Sequence, residues 1–120
     1  MSHTMNIKLE LHDKAILKTV CEKLKIPMEQ GKHQLYKGQE EGLGIKLPGW
    51  KYPAVVKDDG TVAYDNYNGS WGKIEELNMV TAHYGLEKAK HEAILKGYST
   101  QESYNEQTRE LELTVNVEGY

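Results

Sequence analysis

The chain of 120 residues contains no phenylalanine, one cysteine and three prolines. A single cysteine excludes an internal disulfide, so the sequence gives no sign of a disulfide-stabilised domain. No apolar run approaches the roughly 20 residues that a membrane-spanning helix needs, and the N-terminus lacks the apolar segment of a signal peptide. We therefore expect a cytoplasmic protein. Cys21 stands at helical spacing from Leu17 and Leu24, which predicts a core residue and not a nucleophile.

An excess of basic residues is also missing. The 15 Lys and Arg residues are outnumbered by 18 Asp and Glu residues, which gives a net charge of -3 with both signs interspersed. This balance disfavours binding to long nucleic acids or to anionic membranes. With 38% apolar and 28% charged residues, the chain suits one domain with a modest core, and we predict a single α+β domain over residues 1–120.

The clearest pattern in the chain predicts a long amphipathic helix. Apolar residues recur three or four positions apart and stop at Gly97, and Ser70 is a candidate cap for the first turn. Only a broad partner surface can cover so long a stripe, so we expect this helix to pack on a sheet. The apolar positions are Ile74, Leu77, Val80, Tyr84, Ala89, Ala93 and Ile94.

A shorter helix is predicted near the N-terminus. Asp13 is a plausible cap, and Pro27 should end the helix because its ring cannot continue the hydrogen-bond ladder. The expected apolar face of this helix comprises Ile16, Leu17, Val20, Cys21 and Leu24.

Strands are predicted between and beside the helices. Alternation of Ile7, Leu9 and Leu11 indicates a first strand, and the Asp59-Gly60 pair favours a tight hairpin turn. The predicted strands are 6–12, 34–37, 42–47, 52–56, 61–67, 98–106 and 110–117, with Leu111, Leu113, Val115 and Val117 of the last strand facing inward. The resulting fold is an α+β domain of order β-α-β-β-β-β-α-β-β. In it, a single antiparallel sheet of about five to seven strands packs against one short and one long helix.

The order and spacing of these residues resemble the hypothetical chloroplast reading frame thirty-five family, known from plastids, cyanobacteria, other bacteria and phages. The resemblance implies no activity, cofactor or catalytic residue, because none is established for the family. Many members are encoded beside an AAA-type ATPase, which implies an accessory or adaptor role. The chain departs from the family pattern around 66–70 and between Gly38 and Pro53. The matching residues are Met1-Ser2-His3, Ile7, Asp13, Tyr36, Gly38, Asp59-Gly60, Tyr64, Asp65, Trp71, Tyr84, Ala89 and Gly97-Tyr98.

Aromatic residues with polar groups are crowded between positions 50 and 71 and lie among lysines. Such rings can stack on a base or fill a partner's pocket, and a lysine can pair with phosphate. The alternative is that half of the rings build the core of the sheet. The predicted ligand-binding or partner-binding residues are Trp50, Tyr52, Lys57, Tyr64, Tyr67 and Trp71.

Metal binding and catalysis find less support. His83, Glu87 and His91 share one side of the long helix, but they extend over about 12 Å of helical rise, which is too far for one ion to bridge. Asp58 and Asp59 at a hairpin tip are read as turn formers, because solvated carboxylates cannot hold the raised pKa of a general acid. We therefore predict no metal site, no cofactor and no catalytic residue.

Two functions remain open. In the first, the protein is a non-enzymatic adaptor that recognises a host protein, with an AAA-type ATPase as one candidate, through an aromatic-rich sheet and hairpin surface. In the alternative, it is a phage-type sponge that sequesters a small nucleotide signal and so counteracts host defence, with a pocket between subunits of a homo-oligomer as one arrangement.

Overall fold

The computed structural model describes residues 5–8, 11–105, 107 and 110–116. These residues divide into two compact units, Met1–Thr81 and Ala82–Tyr120, and the boundary falls within the second helix. The elements in chain order are β1 (Met5–Lys8), α1 (Lys14–Lys23), β2 (Met28–Gln34), β3 (Gln39–Ile45), β4 (Ala54–Val56), β5 (Thr61–Tyr64), a 3-10 helix (Tyr67–Gly69), α2 (Ile74–Leu95), β6 (Ser99–Asn105) and β7 (Glu110–Asn116).

The strands form two antiparallel sheets. The first has the order β1-β5-β4-β3-β2, and β6 pairs with β7 in a second, two-stranded sheet. The predicted α+β class is confirmed, whereas the predicted single sheet is wrong. Strand β6 reads Ser-Thr-Gln-Glu-Ser-Tyr-Asn and is mostly exposed, so it offers no continuous apolar face that could extend the core of the first sheet.

Helix α1 follows the prediction closely at its start. The Asp13 carboxylate accepts a hydrogen bond from the Ile16 amide at 3.1 Å, and Leu17, Val20 and Cys21 are fully buried. The core prediction for Cys21 is therefore confirmed.

Helix α1 ends before Pro27 through a backbone motif that the sequence reading did not include. Lys25 adopts a left-handed conformation with φ of 58°. The Ile26 amide donates to the Cys21 carbonyl at 2.8 Å and the Lys25 amide to the Glu22 carbonyl at 3.2 Å. These two bonds satisfy carbonyls that the end of a helix leaves free.

Several predicted strand limits are wrong. Residues 35–38 form a turn, closed by the Leu35 amide donating to the Gly38 carbonyl at 2.8 Å, where a strand over 34–37 was expected. Leu11 and His12, which were expected in the first strand, lie outside it, and the Leu11 amide bonds to the Gly60 carbonyl at 3.1 Å. The predicted strand positions Leu9, Glu106 and Val117 lie outside the described residues.

The predicted Asp59-Gly60 hairpin is confirmed between β4 and β5. The Lys57 amide donates to the Thr61 carbonyl at 2.8 Å, and Gly60 has a positive φ of 85°. The Asp59 carboxylate accepts from both the hydroxyl and the amide of Thr61, which lowers its pKa.

Strands β4 and β5 are both shorter than predicted. Strand β4 begins after Pro53, which has no amide to donate to a ladder, and β5 gives way to a tight turn after Tyr64.

The long predicted helix is present, but its cap and its last turns differ from the prediction. Ser70 ends the 3-10 helix, and α2 begins at Ile74. Burial follows the predicted stripe through Leu77, Val80 and Tyr84, after which Leu86 is buried and Ala89 is exposed. Around the last turn only Ala93 is buried, and Ile94 is 57% exposed.

The last strand is also less buried than predicted. Leu111 and Leu113 are half-buried, and Val115 is 39% exposed. The reason lies in the second unit itself, where a two-stranded, largely polar sheet offers too little apolar surface to cover these side chains.

The β2–β3 hairpin does not continue flat beyond the sheet. Strand β3 pairs with β4 only over Leu43–Ile45, and the six steps from residue 45 to residue 39 would carry a flat strand about 20 Å along the sheet. Gly31 and Gly42 face each other in the ladder with positive φ of 153° and 157°. A Cβ atom on Gly42 would lie 2.4 Å from the Val56 carbonyl oxygen.

Burial of the hairpin turn shows that its outer half folds back over one face of the sheet. Leu35 is 1% exposed and packs in one cluster with Val55 and Ala63, against which Tyr52 also packs. Val55 and its neighbours Ala54 and Val56 are all fully buried, so both faces of β4 are covered. The folded-back hairpin supplies the cover on the Val55 face.

In the described part of the chain, neither helix is both long and apolar enough to cross a membrane.

We predict that Gly42→Ala destabilises the protein by about 2–3 kcal/mol, because the methyl group meets a backbone carbonyl that cannot move aside and the positive φ disfavours alanine. Urea denaturation measures the change. Gly38→Ala is the matched control, since a Cβ there meets nothing within 4 Å and should leave the free energy of unfolding within about 0.5 kcal/mol. Equal losses of unfolding free energy in Gly42→Ala and Gly38→Ala would contradict the close backbone approach at Gly42 on which the bend depends.

We also predict that Cys21 resists alkylation in the folded protein. Burial raises the pKa of its thiol to about 11, so only about one thiol in a thousand is ionised near pH 8, and the thiolate is the reactive form. Mass spectrometry after iodoacetamide treatment should find the cysteine unmodified until urea unfolds the chain. Rapid labelling of the folded protein would contradict this assignment.

Candidate functional site

Four aromatic side chains meet on the first unit around the indole of Trp71. Tyr36, Tyr52 and Tyr67 each place a ring centroid near it, at 5.3, 5.6 and 4.9 Å respectively. The interplanar angles of 52°, 67° and 63° are tilted or edge-to-face arrangements, which aromatic quadrupoles favour. We call these four residues the aromatic surface.

The aromatic surface is open to solvent on the side of the tyrosines. Tyr36 is 51% exposed and Tyr67 is 38% exposed, whereas Tyr52 and Trp71 are half-buried. Tyr36 reaches Trp71 only because the β2–β3 hairpin folds back, since Tyr36 stands at the tip of that hairpin. The bend at Gly31 and Gly42 is therefore what completes this surface.

A lysine adds positive charge to the aromatic surface. The Lys51 ammonium group lies 4.6 Å from the centroid of the Trp71 ring and 5.8 Å from that of Tyr52. An ammonium group over an aromatic face is stabilised by the ring quadrupole while its charge stays available to an incoming anion. The backbone holds the two residues together as well, because the Lys51 amide donates to the Trp71 carbonyl at 2.8 Å.

The turn that carries Tyr67 and Trp71 holds an uncommon backbone conformation. Tyr67 and Asn68 both have positive φ, 46° and 53°, a region that costs residues with a side chain about 1–3 kcal/mol. The Asn66 carbonyl closes the turn by accepting from the amides of Gly69 at 3.0 Å and Trp71 at 2.9 Å. The backbone strain thus lies in the turn that carries two rings of the aromatic surface, Tyr67 and Trp71.

Two of the predicted site residues lie in the core. Trp50 is 6% exposed and Tyr64 is 8% exposed, and their ring centroids are 5.7 Å apart. The Trp50 indole donates to the Lys73 carbonyl at 3.0 Å, and its ring lies so close to Gly72 that a Cβ there would be 2.4 Å away. Trp50 and Tyr64 therefore lie outside the aromatic surface, in keeping with the alternative that part of the ring set builds the core. Trp50 also lines a cavity beside this surface.

Lys57 is engaged elsewhere in the sheet. Its ammonium group forms an ion pair with Glu40 at 2.8 Å. Of the six predicted residues, the structure brings Tyr52, Tyr67 and Trp71 together and gives Lys57 a carboxylate partner of its own.

Tyr36 and Lys51 belong to this surface and were not among the predicted site residues. Lys51 is one of the lysines expected among the crowded aromatic residues, although it is not one of the six predicted site residues. Tyr36 carried no usable signal, because its contact with Trp71 depends on a hairpin bend that the sequence reading placed inside a strand.

Asp65 is a buried carboxylic acid that the sequence reading used only as a point of resemblance. It is fully buried, and within the described residues neither carboxylate oxygen has a hydrogen-bond partner. A buried carboxylate without a hydrogen-bond partner is costly, so Asp65, two residues before Tyr67 in the chain, is a second feature that folding stability alone does not explain.

The histidines of α2 do not assemble a metal centre. Glu87 has a lysine neighbour, Lys90, at 3.9 Å. Within the described ranges, no group of three or more His, Cys, Asp or Glu side chains is placed to hold an ion.

Comparisons of this chain with protein-family models, with curated proteins and with solved structures found no match.

We predict that Asp65→Asn raises the midpoint of thermal unfolding by several degrees. The amide keeps the shape of the side chain and removes a charge that no described residue balances, a change worth about 1 kcal/mol or more. Calorimetry at neutral pH measures the shift, with the exposed Glu112→Gln as the control that should leave the midpoint nearly unchanged. A clear loss of stability in Asp65→Asn would show that the carboxylate stabilises the fold and would contradict the prediction.

Proposed function

We propose that this protein is a non-enzymatic binding protein that recognises another protein through the aromatic surface. The observation that carries the proposal is the convergence of three tyrosine rings on Trp71 while Tyr36 and Tyr67 remain 51% and 38% exposed.

The chemistry of these side chains suits protein recognition. Tyrosine and tryptophan bury a large area, lose little side-chain entropy and keep a polar group for a hydrogen bond, so they are enriched among the residues that dominate binding energy. Contacts with Trp71 already restrict the three tyrosine rings, which reduces the entropy that a partner must overcome.

Local strain supports the same proposal. A left-handed Tyr67 would relax if it were glycine, and the burial of Asp65 would cost less if it were apolar. Tyr67 belongs to the aromatic surface, and Asp65 precedes it by two residues in the chain. Features of this kind cluster where a site constrains the sequence more strongly than folding does.

The nature of the partner is a further part of the proposal. The resemblance to a family whose members are often encoded beside an AAA-type ATPase makes such an ATPase the first candidate. The exposed groups of the surface are phenols, an indole and the Lys51 ammonium, so the partner segment should combine an apolar side chain with an acidic one.

We predict that Tyr36→Ala weakens capture of the partner by about 30-fold, the effect of losing a central aromatic contact. Tagged protein is first used to isolate and identify the partner from cells that express it naturally, and affinities of the purified pair are then measured by biolayer interferometry. Tyr104→Ala is the matched control, because Tyr104 is equally exposed at 54% but lies in β6 of the second unit.

A second variant separates binding from folding. Tyr67→Gly removes a ring from the aromatic surface and relieves the positive φ, so the free energy of unfolding should change by less than about 1 kcal/mol while affinity falls. A partner held equally well by wild type, Tyr36→Ala and Tyr67→Gly would contradict the proposal.

A further inference from the structure

A cavity of about 350 Å³ lies beside the aromatic surface. One wall comes from β2 and β3 and the other from the loop 46–53 that joins β3 to β4. Its polar and aromatic lining residues are Glu29, His33, Lys46, Trp50, Lys51 and Tyr52.

We propose that this basic cavity binds a small organic anion that carries a planar ring, for which a nucleoside monophosphate is the test case. The proposal goes beyond protein recognition and does not depend on it.

Charge is the first argument for an anion. Lys46 and Lys51 form no ion pair with any residue in the described ranges, and Glu29 is the one carboxylate in the lining. Two ammonium groups against one carboxylate leave the cavity positive within a chain whose net charge is -3. A concave surface with a net positive charge concentrates anions.

The two lysines differ in their freedom. Lys46 is exposed, and its backbone amide donates to the Pro27 carbonyl at 2.9 Å. The Lys51 ammonium is held 4.6 Å from the Trp71 ring, which limits its positions without neutralising it. A phosphate in the cavity would thus meet the partly ordered ammonium group of Lys51 and the less restricted ammonium group of Lys46.

His33 supplies a directional polar group in the same cavity. Its Nε2 atom lies 2.8 Å from the Glu29 carbonyl oxygen, so Nε2 carries the proton and donates. In the neutral ring, Nδ1 is then an acceptor for a ligand hydroxyl or amino group. The ring lies against the backbone of Gly44, where a Cβ atom would be 2.4 Å from its Cε1 atom.

The remaining walls suit a planar ring. Pro27, Met28 and Pro53 add apolar surface, and Tyr52 adds an aromatic ring. Ligand cavities of about 300–1,000 Å³ with mostly apolar walls and a few convergent polar groups are typical of small-molecule sites. The position of the loop 46–53 is fixed in advance, because Trp50 bonds to the Lys73 carbonyl at 3.0 Å and Lys51 to the Trp71 carbonyl at 2.8 Å.

Isothermal titration calorimetry of the full chain tests the proposal with adenosine, guanosine, cytidine and uridine monophosphates. Adenosine and inorganic phosphate are the probes that lack the charge and the ring respectively. We expect at least one monophosphate to bind more tightly than either probe, with an affinity that falls as ionic strength rises. Absence of binding by all four monophosphates at millimolar concentration would overturn the proposal, as would equal binding of inorganic phosphate or adenosine.

Substitutions locate the site. Lys46→Gln and Lys51→Gln should each weaken the monophosphate by about tenfold, the effect of losing one charge-assisted hydrogen bond. Lys18→Gln is the matched control, because Lys18 is exposed on α1 outside the cavity. Binding that is unchanged in both cavity variants would place the ligand elsewhere and overturn the assignment.

A cross-comparison keeps this proposal separate from protein recognition. Tyr36 and Tyr67 do not line the cavity, so Tyr36→Ala should retain monophosphate binding while losing the protein partner. Lys46→Gln should show the reverse. A parallel loss of both activities in both variants would contradict the assignment of two sites.

Discussion

The first unit depends on one close approach of backbones, at the facing pair Gly31 and Gly42. No side chain fits at position 42, because a Cβ atom would lie 2.4 Å from the Val56 carbonyl oxygen, and both glycines adopt positive φ. The bend that they permit returns the tip of the β2–β3 hairpin to the sheet. Leu35 then completes the cluster over Val55 and Ala63, and Tyr36 reaches Trp71 at 5.3 Å. One backbone constraint thus produces both a piece of core and an exposed aromatic group.

The first unit contains several features that folding alone would avoid, and three of the four residues concerned lie between positions 65 and 68. Tyr67 and Asn68 hold left-handed conformations, Asp65 is fully buried without a hydrogen-bond partner among the described residues, and Tyr36 leaves half of its ring in water. Each is unfavourable by itself, and a sequence selected only for stability would replace them readily. Tyr36 and Tyr67 both contact Trp71, over which the Lys51 ammonium group lies, and this is the reason for locating function on the aromatic surface.

Local signals predicted the parts of the fold that depend on neighbouring residues. Asp13 specified the start of α1, and Asp59-Gly60 specified the β4–β5 hairpin, because a cap and a tight turn are decided within a few positions. The folded-back hairpin was missed, since glycines at positions 31 and 42 reveal a bend only once their pairing is known. Trp50 was predicted at the surface because composition does not show that Gly72 leaves room for its indole. Ile94 was predicted on the apolar stripe of the long helix. The spacing of that stripe does not show that the second unit lacks the apolar surface to cover Ile94.

The account rests on the return of the hairpin tip to Trp71, which nuclear Overhauser effects between the Tyr36 and Trp71 rings measure directly. We expect cross-peaks between these rings in the free protein, together with cross-peaks from the Leu35 methyl groups to those of Val55. In Gly42→Ala, the same cross-peaks should weaken or disappear. Their absence from a folded wild-type protein would show that the hairpin extends into solvent, and the assignment of the aromatic surface would then be wrong.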